Sequence, residues 1–176
     1  TNVNIDYIDV DGFKNNLKLS KKKNDYLISG DSFNISNIID ELLDSENDNK
    51  FKIFNKNFKI IFDIESIYLD KDNSTNNLKG FLSLNKNKIS ELNLESKFTN
   101  NQNIKFTIKD NGNEKVTTFY SHKAKPFVNK YKFIKGFEEG DLDFYSIKKN
   151  EITKSTLKID NFKIQEIPVL AKLLTL

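Results

Sequence analysis

A chain of 176 residues, 37% apolar and 30% charged, fits one domain, and its 15 Phe and 6 Tyr set it apart from a disordered composition. All of its basic residues are lysine and its net charge is only +3, so the arginine forks that read phosphate or guanine are missing and no basic patch favours nucleic acid. The lack of Cys removes disulfides, zinc–cysteine sites and thiol catalysis, and no run approaches the ~20 apolar residues of a membrane span.

In chain order, Val3 to Val10 alternates apolar and polar residues and predicts a strand that turns at Asp11-Gly12. Leu17 to Leu19 runs into a hairpin tip at Lys21-Lys22-Lys23, and Asp25 to Ser29 returns as a strand ending at Gly30. The period then changes: Ser36 caps a short helix carrying Ile38, Ile39, Leu42 and Leu43. Phe58, Ile60, Phe62 and Ile64 form the next strand, with Ile61 on its other face, and Asp70 to Asn77 is a polar loop. Leu78, Leu82 and Leu84 lead through the turn Asn85–Lys88 to Leu92, Leu94 and Phe98, which alternate with Glu91, Asn93, Glu95 and Lys97. After Asn100-Asn101 come Ile104, Phe106 and Ile108, then the hairpin signal Asn111-Gly112 and a strand over Val116 to Ser121. Ala124 to Phe133 predicts a second helix, broken by Gly136 and Gly140. Leu142 and Phe144 open a strand, Lys148 to Glu151 turns it, and Ile152 to Ile164 closes the series. A third helical turn follows Pro168. It is apolar and ends without a cap residue, which we read as a segment cut from a longer protein.

The fold class is therefore mainly β: a long antiparallel meander with two or three short helices. One row of side chains is Leu, Ile and Phe; the opposite row is Lys, Asn, Glu and Asp. An apolar row must be covered. The sheet can fold over into a sandwich or barrel with a closed core, or curl into an open groove that holds lipid. The strand pattern alone leaves both open. Phe58, Ile60, Phe62, Ile64, Leu82, Leu84, Leu92, Leu94, Phe98, Ile104, Phe106 and Ile108 are core residues under either solution and groove-lining residues under the second.

No catalytic, metal or cofactor site assembles. His122 is the only histidine and reads as an exposed or capping residue. Asp141/Asp143 and Glu138/Glu139 read as solvated surface, not as an acid–base pair. Asp70-Lys71-Asp72-Asn73 lacks the glycine and closing glutamate of a calcium loop.

The order of these parts resembles the AsmA-like C-terminal region of large bacterial envelope proteins, the group of YhdP and its relative TamB, over residues 26–176 of the single segment 1–176. The resemblance is carried by Tyr26-Leu27-Ile28-Ser29-Gly30 with Phe33, Phe62-Asp63-Ile64, Leu78-Lys79-Gly80-Phe81-Leu82, Leu92-Asn93-Leu94 and Gly140-Asp141-Leu142. It is closest over Leu157 to Phe162 with Ile167-Pro168-Val169-Leu170-Ala171. Where relatives show Ala-Gly before the helix this chain has Ala124-Lys125-Pro126, and their Gly-Gly is Glu139-Gly140. The resemblance implies a non-enzymatic β-groove for phospholipid acyl chains. It would be periplasmic, tethered to the inner membrane by a span outside this segment, and serve envelope integrity and lipid movement to the outer membrane. A structural or adhesive β-sandwich without lipid is the alternative.

Overall fold

The computed structural model describes residues 2–23, 25–36, 57–86, 88–131 and 137–164. Among them the order is β1 (Asn2–Ile8), β2 (Lys14–Lys22), β3 (Asp25–Asn34), β4 (Phe58–Tyr68), β5 (Ser74–Asn85), β6 (Lys88–Lys97), β7 (Asn103–Asp110), β8 (Glu114–Ser121), α1 (Lys125–Tyr131), β9 (Phe137–Lys149) and β10 (Ile152–Ile164). All ten strands form one open sheet in chain order, with β1 and β10 as its edges. The mainly β architecture expected from the alternation is present, as an open and mostly antiparallel sheet.

Several details differ. β3 and β4 pair in parallel, Ile28 opposite Phe62, so the meander is not antiparallel throughout. Parallel neighbours need a long crossover, and residues 35–57 separate these two strands. The helix expected after Ser36 and the one after Pro168 fall outside the described residues. α1 is the one helix among those described, so the expected two or three are not matched there. Gly30 does not end its strand: β3 continues to Asn34, and the register steps at Gly30 because Asp31 bulges out between Leu17 and Asn16. Gly140 likewise lies inside β9, at φ +88°, and the polar loop at Asp70 is shorter than expected because Ser74–Asn77 already belongs to β5.

The turns follow their residue chemistry. Asp70 Oδ1 accepts the backbone N–H of Asp72 and of Asn73, each at 2.8 Å, which closes the β4–β5 turn. Asn111 Oδ1 accepts from the N–H of Asn113 and Glu114, and Gly112 takes φ +87°. At the first corner Asp9 gathers donors. Its carboxylate accepts from the N–H of Asp11 and Phe13 and from the side-chain amides of Asn15 and Asn34. Asn15, fully buried, also accepts the N–H of Asn34 at 2.8 Å, so the β1–β2 corner is pinned to the end of β3.

The Asn34 amide, followed by the weaker bonds from Phe13, Asn15 and Asp11, holds the Asp9 carboxyl below its ordinary 3.8 against a smaller desolvation effect. A lowered folded value means that this contribution to stability is complete above pH 3.8 and is lost as pH falls through the lowered value. Asp9→Asn is therefore expected to melt below the parent chain at neutral pH, with the gap in melting temperature closing under acid. A gap that stays constant with pH would show that the charge of Asp9 is not what matters.

The core is one apolar cluster on one face of the sheet. α1 covers one part of it. The Ala124 N–H donates to the Gly140 carbonyl at 2.7 Å, Pro126 occupies the first helical turn where its missing N–H costs nothing, and Phe127 and Val128 point into the cluster. The Phe127 ring meets Phe119 edge to face at 4.7 Å, and Phe119 meets Phe106 in the same way at 5.7 Å.

Candidate functional site

Alternation puts every second residue of a strand on one face; register decides which of them become neighbours across the sheet. Following the pairings from edge to edge, Val3 lies opposite Leu19, Leu19 opposite Ile28, and Ile28 opposite Phe62. Phe62 lies opposite Gly80, Gly80 opposite Leu94, Leu94 opposite Phe106, Phe106 opposite Phe119, Phe119 opposite Phe144, and Phe144 opposite Leu157. This row crosses all ten strands without one polar side chain. Beside it run Ile60, Leu82, Leu92 and Ile108 on one flank and, on the other, Ile64, Ile104 and Leu142.

The twelve candidate lining residues all fall in the same cluster. Ile64, Leu82, Leu84, Leu92, Phe98, Ile104, Phe106 and Ile108 are buried; Phe58, Ile60, Phe62 and Leu94 are half-buried against them. Alternation along single strands missed Leu19, Ile28, Phe119, Phe144 and the row's two ends, because only the register joins them. Burial along the row is uneven. Phe106 and Phe119 are covered; Leu19, Ile28, Phe62, Leu94 and Phe144 are half-exposed; Val3 is 46% and Leu157 54% exposed.

Close to the row the backbone departs from regular pairing. Gly80 sits at φ +144° with the Asn93 carbonyl against it, and a Cβ there would lie 1.9 Å from that oxygen. The β5–β6 register steps just before it, between Asn76 and Lys79. Two buried hydroxyls beside the row are matched: Ser96 Oγ donates to Thr75 Oγ1 at 3.0 Å, and Ser121 Oγ to the Lys123 carbonyl at 2.8 Å, whereas the buried Asn93 Oδ1 has no hydrogen-bond partner.

The residues weighed for chemistry have other partners. His122 Nδ1 accepts the Asn103 N–H at 3.0 Å, and its ring lies edge-on to Tyr120. Lys125 bridges both oxygens of Glu138 at 2.6 Å, Lys163 meets Glu139 at 2.6 Å, and Asn161 donates to Asp141. These pairs are exposed or half-exposed and stabilise by at most about 1 kcal/mol each. Burial pushes the Tyr120 phenol upward, with Asp141 and Asp143 adding to the shift, while the hydrogen bond to Asp160 raises Lys158. Among the described residues no group of His, Cys, Asp or Glu is placed to hold a metal, and no helix is long and apolar enough to cross a membrane. No protein-family model matches the chain, and no curated protein and no solved structure matches it either.

Proposed function

We propose that this chain is a non-enzymatic segment of a bacterial envelope protein, and that its apolar face curls into a groove along which phospholipid acyl chains pass between the inner and outer membranes. The protein would be periplasmic and tethered to the inner membrane by a span outside this segment. The observation that carries the reading is the unbroken apolar row, half-exposed along most of its length and open at both ends. A core built only to seal itself has no use for apolar side chains at both free edges.

Length supports passage more than storage. Strands about 4.8 Å apart make a row of about 43 Å across ten strands. One leaflet's acyl tail spans about 15 Å, half of a ~30 Å hydrocarbon core. The track is thus longer than any single guest. It also has no charged residue in it to hold a head group in one place, and each methylene gains up to about 0.8 kcal/mol wherever it lies.

The test is native mass spectrometry of detergent-free protein expressed in bacteria, together with a photo-crosslinking residue at Leu157 or, on the opposite face, at Thr156. Bound phospholipid and an adduct at position 157 but not at 156 are expected. Protein free of phospholipid, with no adduct at either position, would rule the groove out. The burial of Ile108 (1% exposed) and Leu92 (2%) favours a second reading, a structural β-domain with a dry core, and that outcome would support it.

A further inference from the structure

The two edges of the sheet are built differently. β10 carries Lys154, Lys158 and Lys163, and one residue, Asn161 at φ 56°, drops out of its pairing with β9 without shifting the register. Lysines and local breaks in regular pairing help to keep an edge from recruiting another strand. β1 has neither. Its sequence NVNIDYI contains no lysine and no proline, and it pairs with β2 residue for residue without a bulge. Every residue of β1 is exposed, including Val3 at 46%, Ile5 at 40% and Tyr7 at 47%. Among the described residues no strand pairs with its outer side.

We infer that β1 docks against β1 of a second copy, antiparallel, across a two-fold axis through Ile5. The strand is self-complementary in that register. Ile5 faces Ile5 of the second copy, Val3 faces Tyr7 and Tyr7 faces Val3, all on the apolar side. On the polar side Asn4 faces Asp6 and Asp6 faces Asn4, so an amide can donate to each carboxylate. Centring the axis on Ile5 uses the whole strand from Asn2 to Ile8. Moving it to Asp6 would set two carboxylates directly opposite each other, which is unfavourable. Moving it to Asn4 would leave Tyr7 and Ile8 beyond the end of the strand. The axis stands perpendicular to the sheet, so Val3, Ile5 and Tyr7 of both copies stay on the same side and the apolar rows of the two sheets join. The contact is isologous and closes as a dimer, with the free backbone groups of the edge supplying the bonds. It does not depend on lipid.

The Asp9 N–H donates to the Phe13 carbonyl in the β1–β2 register, so alternate residues from Asp9 back to Val3 bond to β2 and the N–H groups of Asn4 and Asp6 face outward. Light scattering across a dilution series is expected to give twice the 20.5 kDa of one chain at high concentration, and Asn4→Pro, which removes an outward N–H, to give monomer. The chain has no cysteine, so the register can be read directly. Ile5→Cys should form an interchain disulfide under mild oxidation, whereas Ile8→Cys, placed opposite Asn2, should not. A parent chain that stays monomeric throughout, a dimer that survives Asn4→Pro, or equal cross-linking at positions 5 and 8 would each overturn the proposal. The two cysteine variants keep it testable if Asn4→Pro fails to fold.

Discussion

Gly80→Ala is expected to cost about 3–5 kcal/mol, a large part of the stability of a domain of this size, and to leave much of the chain unfolded. The reason is a single close approach. At φ +144° the glycine lets the carbonyl of Asn93 come to where a methyl group would have to be, 1.9 Å from the new Cβ. The obstacle is backbone, held in the β5–β6 ladder, so it cannot swing away as a side-chain tip would. Gly112→Ala is the control. It also has positive φ, +87°, but nothing lies within 4 Å of its Cβ, so only the left-handed backbone penalty of about 1 kcal/mol remains. Urea unfolding followed by circular dichroism separates the two. Equal midpoints for the two variants would mean that the approach at Gly80 relaxes without cost.

Phe119→Ala is expected to lose about 3–5 kcal/mol, the usual cost of emptying a phenylalanine site in a packed core. Phe119 is 4% exposed and holds two edge-to-face contacts at once, with Phe106 on β7 and Phe127 on α1. Removing it leaves a cavity between sheet and helix and strips each neighbouring ring of a partner. Phe119→Leu should recover more than half of the loss, because most of the volume returns without the ring contacts. Thermal melts would show this, and a Phe119→Ala variant within 1 °C of the parent would exclude a structural role for α1 packing. Phe106, at 5% exposed, stands under the same constraint. A charge placed there would test the fold before any lipid, which is why Leu157, at the open end of the row, is the better probe of the groove.

The strands were legible because their apolar residues alternate. Ile152–Ile164 falls where the pattern put it, and Leu92 and Leu94 against Glu91, Asn93 and Glu95 announce a strand with one wet face. What alternation lacks is direction and register. Nothing in Tyr26–Gly30 or Phe58–Ile64 says that these strands run the same way, and the apolar row from Val3 to Leu157 exists only once the register is set. Glycine misled twice. Gly30 and Gly140 read as breaks, yet both lie within strands. Gly30 admits the Asn16 carbonyl, while Gly140 takes the positive φ opposite the Asn161 irregularity. Polar composition misled once: Thr75 belongs to a strand and is fully buried, its hydroxyl accepting a bond from Ser96.

The parallel joint between β3 and β4 concentrates the entropic cost of assembly at one place. On either side of it each strand is tied to its predecessor, mostly by a short turn, so two hairpin stacks, Asn2–Asn34 and Phe58–Ile164, can each grow by adding one strand at a time. Joining them alone requires two strands separated by residues 35–57 to meet, a contact between distant parts of the chain whose entropic cost comes before its reward. In refolding, that seam is expected to be the last part of the sheet to form.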